Sequence, residues 1–463
     1  MTNLPIIAIF DIGKTNKKFF LFDEDYNMLL ERSSPFTEIT DEDGDPCEDI
    51  EALTQWVKRS LRDIQTMREY TLKAVNFSTY GASFVHLNAE GKPVTPLYNY
   101  LKPYPAGLQE EFYQQYGGEI TFSMHTASPA LGNLNSGLQL YWLKKHKPQV
   151  FEKIRYSLHL PQYMSYLLTG KTYSDITSIG CHTALWNFSQ NHYHEWIFRE
   201  GVIDKLAPIF PSNQLINASL DGRPVLSGVG LHDSSAALIP YLANFTEPFL
   251  LISTGTWCIT LNPFNQSRLL ADELKQDCLC YMEYRARPVK ASRLFAGYEH
   301  EQQVKRLAAH FEQSADYYKT VHFSPGIIDA LQQRPAFADK ATGSHGLQQS
   351  VFAQRDLHDF ATYEEAYHQL IADIMQQQVA STNLVMSREV KKIFVDGGFG
   401  RNTIYMHLLA RAYPQLEVYA ASIAQASAVG AAMAVHAYWN KRSLPEELID
   451  LKKFTAPATS VNS

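Results

Sequence analysis

The sequence predicts an α/β protein made of two related halves. Residues 6–22 and residues 249–261 share one arrangement, in which two apolar runs flank a polar loop that contains glycine and threonine. Apolar runs bounded by turn residues are typical of paired strands, and each hairpin is followed by stretches in which apolar residues recur at helical spacing. The chain has 463 residues, whereas one domain usually has about 100–200. We therefore expect two domains, each with its own sheet.

The first half opens with a strand that we expect to be buried on both faces, because residues 5–10 form an unbroken apolar run. The run stops at the polar segment 11–18, and a second apolar run at residues 19–22 completes the hairpin. Apolar residues at helical spacing then predict an amphipathic helix near residues 47–67. Another apolar run, at residues 72–77, predicts a further buried strand.

The second half repeats this order of elements. Apolar residues recur at helical spacing over residues 298–388, as they do earlier in the chain over residues 108–200, so we expect both stretches to be mostly helical. Residues 392–395 predict a strand that leads into a helix from about Thr403. The tail after Leu451 has no periodicity and is expected to fray. These patterns give an N-terminal domain over residues 1–245, a C-terminal domain over residues 246–450 and a tail over residues 451–463.

The composition excludes several classes of function. The chain has 41 lysines and arginines against 48 aspartates and glutamates, a formal net charge of −7, so we expect no general attraction to nucleic acid or to an anionic membrane. It shows neither a signal peptide at its start nor the ~20 consecutive apolar residues that span a bilayer. Of the five cysteines only Cys278 and Cys280 are close, and without a second Cys/His pair they do not form a zinc site. We expect a cytoplasmic protein with reduced thiols.

The loop of the first hairpin carries the first candidate binding motif. Its polar and flexible residues are Asp11, Gly13, Lys14, Thr15, Asn16 and Lys18. Backbone N–H groups, hydroxyls, amides and lysines in such a loop can surround phosphate oxygens. A carboxylate at the end of a strand, here Asp11, can hold Mg²⁺ through water. An ordinary charged β-turn is the alternative.

The matching loop of the second hairpin carries the second motif, Ser253-Thr254-Gly255-Thr256. Gly255 permits close backbone approach, and Thr254 and Thr256 offer hydroxyl groups. Turns of serine, threonine and glycine are also common without a ligand.

The third motif combines Gly397 and Gly398, at the end of a strand, with Asn402, just before a helix. Such a strand end lets a flat or phosphorylated ligand approach the backbone and the helix N-terminus. Neither the dinucleotide fingerprint nor the P-loop pattern occurs in the chain.

The fourth motif, Gly230-x-His232-Asp233-Ser234, lies between the two halves. Small residues after Asp233 predict the start of a helix, so its carboxylate could face a cleft and accept a proton from a hydroxyl group that attacks phosphorus. A helix N-cap is the simpler alternative for this aspartate.

The order of the four motifs resembles that of the FGGY carbohydrate kinases of the actin/Hsp70/sugar-kinase superfamily, over roughly residues 5–440. The resemblance implies two ribonuclease-H-like domains, with ATP and sugar in the cleft between them. It assigns the first two motifs to the phosphates of ATP, the third motif to adenosine and Asp233 to the catalytic base. The His232-Asp233 pair is similar to that of the L-rhamnulose and L-fuculose kinases.

The resemblance also implies which residues bind the sugar. These candidates are Tyr80, Gly81, Tyr98, Asn99, His232 and Asp233. Tyr80 and Tyr98 could pack against an apolar ring face or a deoxy methyl group while their hydroxyls bond the sugar, or they could be core aromatics. Four positions depart from the family pattern: Asn88 stands where the turn usually has aspartate, Lys14 replaces a small residue, Gln425 replaces a frequent glutamate, and Tyr100 stands where relatives are often polar or acidic. The last departure leaves the identity of the sugar open.

The implied function is ATP- and Mg²⁺-dependent phosphorylation of a sugar hydroxyl, O1 of a 6-deoxy-ketohexose such as L-rhamnulose or L-fuculose. The alternatives are a kinase for xylulose, ribulose or glycerol, and a non-catalytic, nucleotide-dependent sensor on the same fold. The partners would be ATP and the sugar, and a homodimer is compatible with this fold.

Overall fold

The computed structural model describes residues 3–334, 349–445 and 447–456. The strands, numbered along the chain, are β1 (Leu4–Ile12), β2 (Lys17–Phe22), β3 (Met28–Ser34), β4 (Ile39–Thr40), β5 (Pro46–Cys47), β6 (Tyr70–Thr79), β7 (Phe84–Leu87), β8 (Tyr156–His159), β9 (Trp186–Asn187), β10 (His192–Tyr193), β11 (Leu215–Leu220), β12 (Arg223–Gly228), β13 (Leu231–His232), β14 (Phe249–Thr254), β15 (Cys258–Asn262), β16 (Cys278–Met282), β17 (Pro288–Leu294), β18 (Lys392–Gly397), β19 (Glu417–Ser422) and β20 (Asp450–Phe454).

The α-helices of the described residues are α1 (Ile50–Thr66), α2 (Ala106–Gln115), α3 (Glu119–Thr126), α4 (Ser136–His146), α5 (Pro148–Lys153), α6 (Leu160–Thr169), α7 (Ile176–Ile179), α8 (Glu195–Arg199), α9 (Asp233–Asn244), α10 (Ala271–Lys275), α11 (Ala296–His310), α12 (Pro325–Gln332), α13 (Tyr363–Val385), α14 (Thr403–Ala412), α15 (Ala426–Ala434) and α16 (His436–Trp439). Together with the strands they form two domains, each built on one mixed sheet.

The two sheets share one strand arrangement, which confirms the prediction of two related α/β halves. In the first sheet, β1 pairs with antiparallel β2, which continues to β3, and on its other side with parallel β6, followed by β12. In the second sheet, β14 pairs with antiparallel β15, which continues to β17, and on its other side with parallel β18, followed by β19. The polar loop therefore follows the central strand in both sheets.

The parallel strands bring the predicted motifs to one edge of each sheet. In the first sheet, β1 carries Asp11 at its carboxyl end, and His232 of β13 lies opposite Thr79 of β6. In the second sheet, Thr254 of β14 lies opposite Gly397 of β18. Because ligands of open α/β sheets bind at the carboxyl ends of strands, these two edges are the first place to look for a site.

Strand β1 is buried on both faces, as its unbroken apolar run predicts. Ile6, Ala8 and Phe10 share a core with α1 and α6, whereas Ile7 and Ile9 share another core with α9 and α15. Burying both faces excludes water from the strand and stabilises the centre of the sheet.

Two helices connect the domains. Helix α9 starts at the edge of the first sheet and leads to β14, and α15 follows β19 of the second sheet and packs back on β1. The two helices meet at Gly430, where a Cβ atom would lie 1.8 Å from the carbonyl oxygen of Ala236. Only glycine allows this close contact between the helix backbones.

One part of the predicted tail is wrong. Residues 450–454 form β20, which pairs antiparallel with β19, so the chain belongs to the second sheet as far as Phe454. Residues 457–463 of that tail lie outside the described residues, as do residues 335–348 of the predicted helix-rich stretch.

The structure also bears on the expected thiols and membrane segments. All five cysteines are described, and each is a buried free thiol. Within the described ranges, no helix combines the length and the apolar character needed to cross a bilayer.

Candidate active site

Asp233 lies at the first turn of α9, where β1, β6 and β13 end. Its side chain is 35% exposed, and its Oδ1 accepts a hydrogen bond from the backbone N–H of Ser234 at 2.6 Å. His232, not Asp233, is the N-cap of α9, so the carboxylate is not required as a helix cap. Its Oδ2 has no hydrogen-bond partner within the described part of the chain, and it can therefore accept a proton from a ligand.

Asp11 lies close enough to Asp233 for the two carboxylates to affect each other's charge. Burial raises the pKa of Asp11 to about 6, a hydrogen bond from Ser427 opposes the rise, and the negative charge of Asp233 adds to it. The Oγ of Ser427, in α15, lies 2.8 Å from Oδ2 of Asp11. Two carboxylates at one strand edge favour a bound cation, because it would compensate their charge.

His232 is buried and packs next to Asp233, with its Nδ1 3.5 Å from Oδ1 of Asp233. Its Nδ1 accepts a hydrogen bond from the N–H of Ser234 at 3.3 Å, and its Nε2 lies 3.3 Å from Sγ of Cys181. Burial lowers the pKa of His232, which favours the neutral ring. Gly81 allows this packing, because a Cβ atom there would lie 2.6 Å from the imidazole. The structure thus brings together two predicted sugar residues, Gly81 and His232, next to Asp233.

The first loop, residues 11–18, turns tightly around a hydrogen bond from the N–H of Gly13 to the carbonyl of Asn16, 2.9 Å. The side chains of Thr15 and Asn16 are exposed. Lys14 and Lys18 form ion pairs with Glu38 at 2.5 Å and with Glu31 at 2.9 Å. The loop thus presents backbone, hydroxyl, amide and ammonium groups at the same edge as Asp11.

The second loop, residues 253–256, is held to the third motif. The hydroxyl of Thr254 donates to the carbonyl of Asp396 at 2.6 Å and accepts from the N–H of Phe399 at 3.0 Å. Gly397 has a φ of +94°, and a Cβ atom there would lie 2.0 Å from the carbonyl oxygen of Thr254. Gly255 and Thr256 remain exposed. The hydroxyl of Thr254 therefore has a structural role, and the exposed Gly255 and Thr256 are open to a ligand.

A pocket of about 750 Å³ opens beside the second loop, and we call it the C-terminal pocket. Its lining includes the predicted residues Thr254, Gly255, Gly398 and Asn402, and also Gly297, His300, Tyr318, Tyr367, Phe399 and Arg401. Its volume lies in the range of about 300–1,000 Å³ typical of small-molecule sites. A lining that combines aromatic side chains with glycine backbone suits a flat ring attached to a polar group.

Asn402 has a structural role that the sequence did not reveal. Its Oδ1 accepts hydrogen bonds from the N–H groups of Ile404 at 3.0 Å and Tyr405 at 3.1 Å, which caps α14. Its Nδ2 donates to the hydroxyl of Tyr367 at 2.8 Å. Asn402 therefore fixes the wall of the C-terminal pocket as well as lining it.

The predicted sugar residues on the other side of the site divide into two groups. Tyr98 is 2% exposed, and its hydroxyl donates to Glu42. This position agrees with the alternative of a core aromatic, and contact between the hydroxyl of Tyr98 and the sugar stays a prediction. Tyr80 is also buried, and its hydroxyl donates to Glu48 at 3.3 Å, so only part of its ring remains available for the predicted contact. Asn99 is buried as well.

Tyr100 and Glu38 lie close to two of the predicted sugar residues, Asp233 and Asn99 respectively. Burial raises the pKa of Tyr100, and the charges of Asp233 and Glu38 raise it further, so both carboxylates lie near its ring. Glu38 Oε1 also lies 3.5 Å from Nδ2 of Asn99. The sequence pattern missed Glu38, because it belongs to a loop without periodicity, and missed His300, because a histidine within an amphipathic helix carries no signal of its own.

The residues present fit a water-linked Mg²⁺ better than a fully protein-bound metal. Asp11 offers a carboxylate beside the first loop, and within the described chain no group of three or more His, Cys, Asp or Glu residues could hold a metal. Mg²⁺ keeps most of its waters and usually binds through one or two carboxylates plus the phosphates of a substrate.

Comparison with known proteins identifies the family. Residues 6–231 match the N-terminal domain of the FGGY family of carbohydrate kinases, and residues 246–443 match the FGGY C-terminal domain. The chain therefore belongs to the FGGY family of carbohydrate kinases. Its two sheet-based domains are those of the actin-like ATPase fold, as the order of the motifs predicts.

Individual relatives show where the chain lies within the family. It is 26% identical to a rhamnulokinase of Halalkalibacterium halodurans over 266 residues, which cover 54% of this chain and 52% of the relative. It is 26% identical to a probable L-xylulose kinase of Pasteurella multocida over 265 residues, which cover 54% of each chain. The chain thus spans about half the length of these curated relatives. A carbohydrate kinase structure from Novosphingobium aromaticivorans shares the fold, with a TM-score of 0.79, 22% identity and coverage of 98% of this chain and 95% of that one.

Proposed function

We propose that the protein is an ATP- and Mg²⁺-dependent kinase that phosphorylates O1 of a 6-deoxy-ketohexose such as L-rhamnulose or L-fuculose. The observation that carries the proposal is the position of Asp233 at the strand edge that also carries the first loop. One oxygen of its half-buried carboxylate has no hydrogen-bond partner among the described residues. We expect the reaction to take place in the cytoplasm.

In the proposed mechanism, the first and second loops bind the triphosphate from opposite sides, and the C-terminal pocket takes the nucleoside. Asp233 accepts the proton of the sugar O1–H as that oxygen attacks the γ-phosphorus. The new O1–P bond forms while the bond from the γ-phosphorus to the bridging oxygen breaks, and ADP leaves. Because phosphoryl transfer depends mainly on positioning and electrostatics, the neutral His232 and the backbone of Ser234 contribute by fixing the orientation of Asp233.

Asp11 would hold Mg²⁺ through water, and the bound cation would offset negative charge on the phosphates. Hydrogen bonds within the chain already fix the position of this carboxylate. Ser427 keeps one oxygen of Asp11 hydrogen-bonded, and Lys18 reaches Gln425 at 3.4 Å across the same edge, so α15 and the first loop are held around the carboxylate.

The choice of sugar is supported by the His232-Asp233 pair and by the similarity to rhamnulokinases. The second candidate is an L-xylulose kinase, because the chain is also 26% identical to a probable L-xylulose kinase. Tyr100 favours the first candidate, since a half-buried aromatic ring near Asp233 offers an apolar surface for a deoxy methyl group.

A coupled assay of ADP release tests the proposal. Purified protein is assayed with ATP and Mg²⁺ against L-rhamnulose, L-fuculose, L-xylulose, D-xylulose, D-ribulose and glycerol. We expect a 6-deoxy-ketohexose to give the highest kcat/KM, and phosphorus NMR of the product to show the phosphate on O1. A preference for L-xylulose would establish the second candidate, and no response to any acceptor would support a sensor.

The same assay tests the base. We expect Asp233→Asn to lower kcat by about 10²–10⁴-fold with a much smaller change in KM for the sugar, because general base catalysis contributes about that much. Asp204→Asn, the same change at an exposed aspartate of the N-terminal domain, should leave kcat unchanged. Near-normal turnover of the Asp233→Asn enzyme would show that another group takes the proton.

A further inference from the structure

His300 is a polar side chain of the C-terminal pocket whose role neither the motifs nor the family match explains. It lies in α11, one helical turn after Gly297, and Gly297 packs against the second loop so closely that a Cβ atom there would lie 1.8 Å from the carbonyl oxygen of Gly255. The imidazole is surrounded by aromatic rings, with centroid distances of 5.0 Å to Tyr318 and 5.4 Å to Phe399. Its position in the pocket is therefore fixed.

A chain of hydrogen bonds determines which nitrogen of His300 carries the proton. It begins at Asn402, whose Oδ1 accepts two backbone N–H groups, so the other end of its amide must be the NH₂ group. That NH₂ group donates to the hydroxyl oxygen of Tyr367 at 2.8 Å. The hydroxyl oxygen lies 2.9 Å from Nε2 of His300.

Tyr367 is 1% exposed, so its own O–H must find an acceptor inside the protein. Within the described residues the acceptor in reach is Nε2 of His300. Nε2 therefore accepts a hydrogen bond and carries no proton. In a neutral imidazole the proton must then be on Nδ1.

The neutral state follows from the surroundings of the ring. Burial lowers the pKa of His300 to about 4, because the aromatic walls disfavour the charged form. At neutral pH the ring thus has one N–H, at Nδ1. No hydrogen-bond partner for Nδ1 occurs among the described residues, and the ring lines the pocket.

We infer that His300 is a specificity-determining residue of the nucleotide site: the Asn402–Tyr367–His300 chain fixes Nδ1–H as a donor to the nucleoside, where a ribose hydroxyl oxygen or purine N7 accepts the hydrogen bond. Tyr367 is a positioning residue, since it acts through His300. The inference rests on the proposed function, because it requires that the C-terminal pocket takes the nucleoside of ATP. It adds a directed hydrogen-bond donor among the aromatic rings of Tyr318, Tyr367 and Phe399.

The first experiment measures the proton position without any ligand. Nitrogen NMR of protein labelled at its histidine side chains separates a protonated Nδ1 from a protonated Nε2, and the signal that is absent from the His300→Asn variant is that of His300. We expect the Nδ1–H form in the wild type. Protonated Nε2 would overturn the inference. In Tyr367→Phe, which lacks only the hydroxyl, we expect the Nε2–H form to appear, because the donor that excludes it is gone.

The second experiment measures ATP binding by titration calorimetry. We expect His300→Leu to weaken binding of ATP by about tenfold, the value of one good hydrogen bond. His300→Asn should bind ATP within about threefold of the wild type, because the amide of asparagine can place an N–H where Nδ1–H was. The KM for the sugar should not change in either variant. An affinity of His300→Leu within twofold of the wild type would overturn the inference.

Analogues of ATP identify the acceptor. If it is the ribose O2′, 2′-deoxy-ATP should bind the wild type about tenfold more weakly than ATP but bind His300→Leu as ATP does. If it is purine N7, 7-deaza-ATP should show that pattern instead. Equal losses in wild type and His300→Leu for both analogues, and for 3′-deoxy-ATP, would overturn the inference. Absence of ATP binding by the wild type would overturn the proposed function itself, which distinguishes the two failures.

Discussion

At the scale of single residues, the buried pair of Lys17 and Glu48 links the two ligand regions of the N-terminal domain. Both side chains are 3% exposed, and their charged atoms lie 2.9 Å apart. Lys17 also donates to the carbonyl of Lys14 in the first loop at 2.7 Å, and Glu48 accepts the hydroxyl of Tyr80 at 3.3 Å. One ion pair therefore fixes the first loop relative to a predicted sugar contact.

Removing one partner of this pair should be costly. We expect Lys17→Met to lower the free energy of unfolding by about 3–5 kcal/mol, because Glu48 would remain buried without a counter-charge. The double variant Lys17→Met/Glu48→Leu should recover most of this loss, since it buries no charge. Urea denaturation followed by tryptophan fluorescence measures both values. Equal losses in the single and the double variant would contradict this account.

Three histidines of the N-terminal domain should make stability depend on pH. Burial lowers the pKa values of His86, His159 and His182 to about 3, whereas an unfolded histidine titrates near about 6.5. Below that pH the unfolded chain binds protons that the folded chain does not bind, so stability falls as the pH is lowered. His159 stacks on Phe84 at 4.0 Å and has its Nε2 2.9 Å from the hydroxyl of Ser136.

We expect His159→Gln to lose about 2 kcal/mol less stability than the wild type between pH 7 and pH 5, because one of the three histidines no longer contributes to the linkage. Urea denaturation at the two pH values measures the difference. His192→Gln is the control, since His192 is exposed. The same pH dependence in His159→Gln and the wild type would show that this ring is protonated in the folded state.

At the scale of elements, the contact of α9 with α15 sets the distance between the helices that connect the domains. The contact rests on Gly430 and Ala236. Helix α9 also begins with Asp233, and α15 carries Ser427 to Asp11. A change in the separation of the two helices is therefore transmitted to both carboxylates of the site.

We expect Gly430→Ala to lower the free energy of unfolding by about 1–3 kcal/mol, the usual cost of overpacking, and to lower kcat while the KM for ATP changes less. Gly107→Ala is the matched control, because a Cβ atom at Gly107 of α2 would meet nothing within 4 Å. That variant should be as stable as the wild type or slightly more stable. Calorimetric melting and the ADP-release assay measure the two effects. Unchanged kcat in Gly430→Ala would show that the helix spacing does not affect the site.

The sequence predicted the elements well where periodicity decides them. The unbroken apolar run of β1 and the helical spacing of α1 follow from burial alone. The strand β20 was missed because Lys452 and Lys453 interrupt any apolar pattern in a strand that lies at the edge of its sheet. Edge strands need no alternating apolar residues, so composition does not distinguish them from a frayed tail.

The site was predictable only where residue type restricts the chemistry. Asp233 and Gly397 can be singled out because a carboxylate at a strand end can accept a proton and a glycine permits the close backbone contact found at Gly397. The role of Tyr98 cannot be decided from the sequence, because a tyrosine fits both a core and a site, and its partner Glu42 is distant in sequence. His300 could not be found, since its role depends on contacts with Tyr367 and Phe399 from two other segments.

At the scale of the whole molecule, the two sheets have the same strand arrangement but carry different functional residues at their edges. The first sheet carries the carboxylates Asp11 and Asp233, and the second carries the glycines Gly255 and Gly397 beside the C-terminal pocket. The same fold therefore carries acid–base groups in the N-terminal domain, whereas in the C-terminal domain it carries glycines whose backbone a ligand can approach closely. The two functions need both domains to be present together.

The return of α15 to the first sheet affects how the chain can be synthesised and divided. Ile7 and Ile9 of β1 are covered by Val429 and Ala432, which are separated from them by more than 400 positions in the printed sequence. During synthesis, these isoleucines leave the ribosome long before the residues of α15 that bury them are made. A fragment that stops near residue 245 lacks α15 altogether. Such a fragment would expose an apolar face of the sheet to other copies of itself. Separate expression of the amino-terminal half should therefore yield aggregates rather than a folded domain.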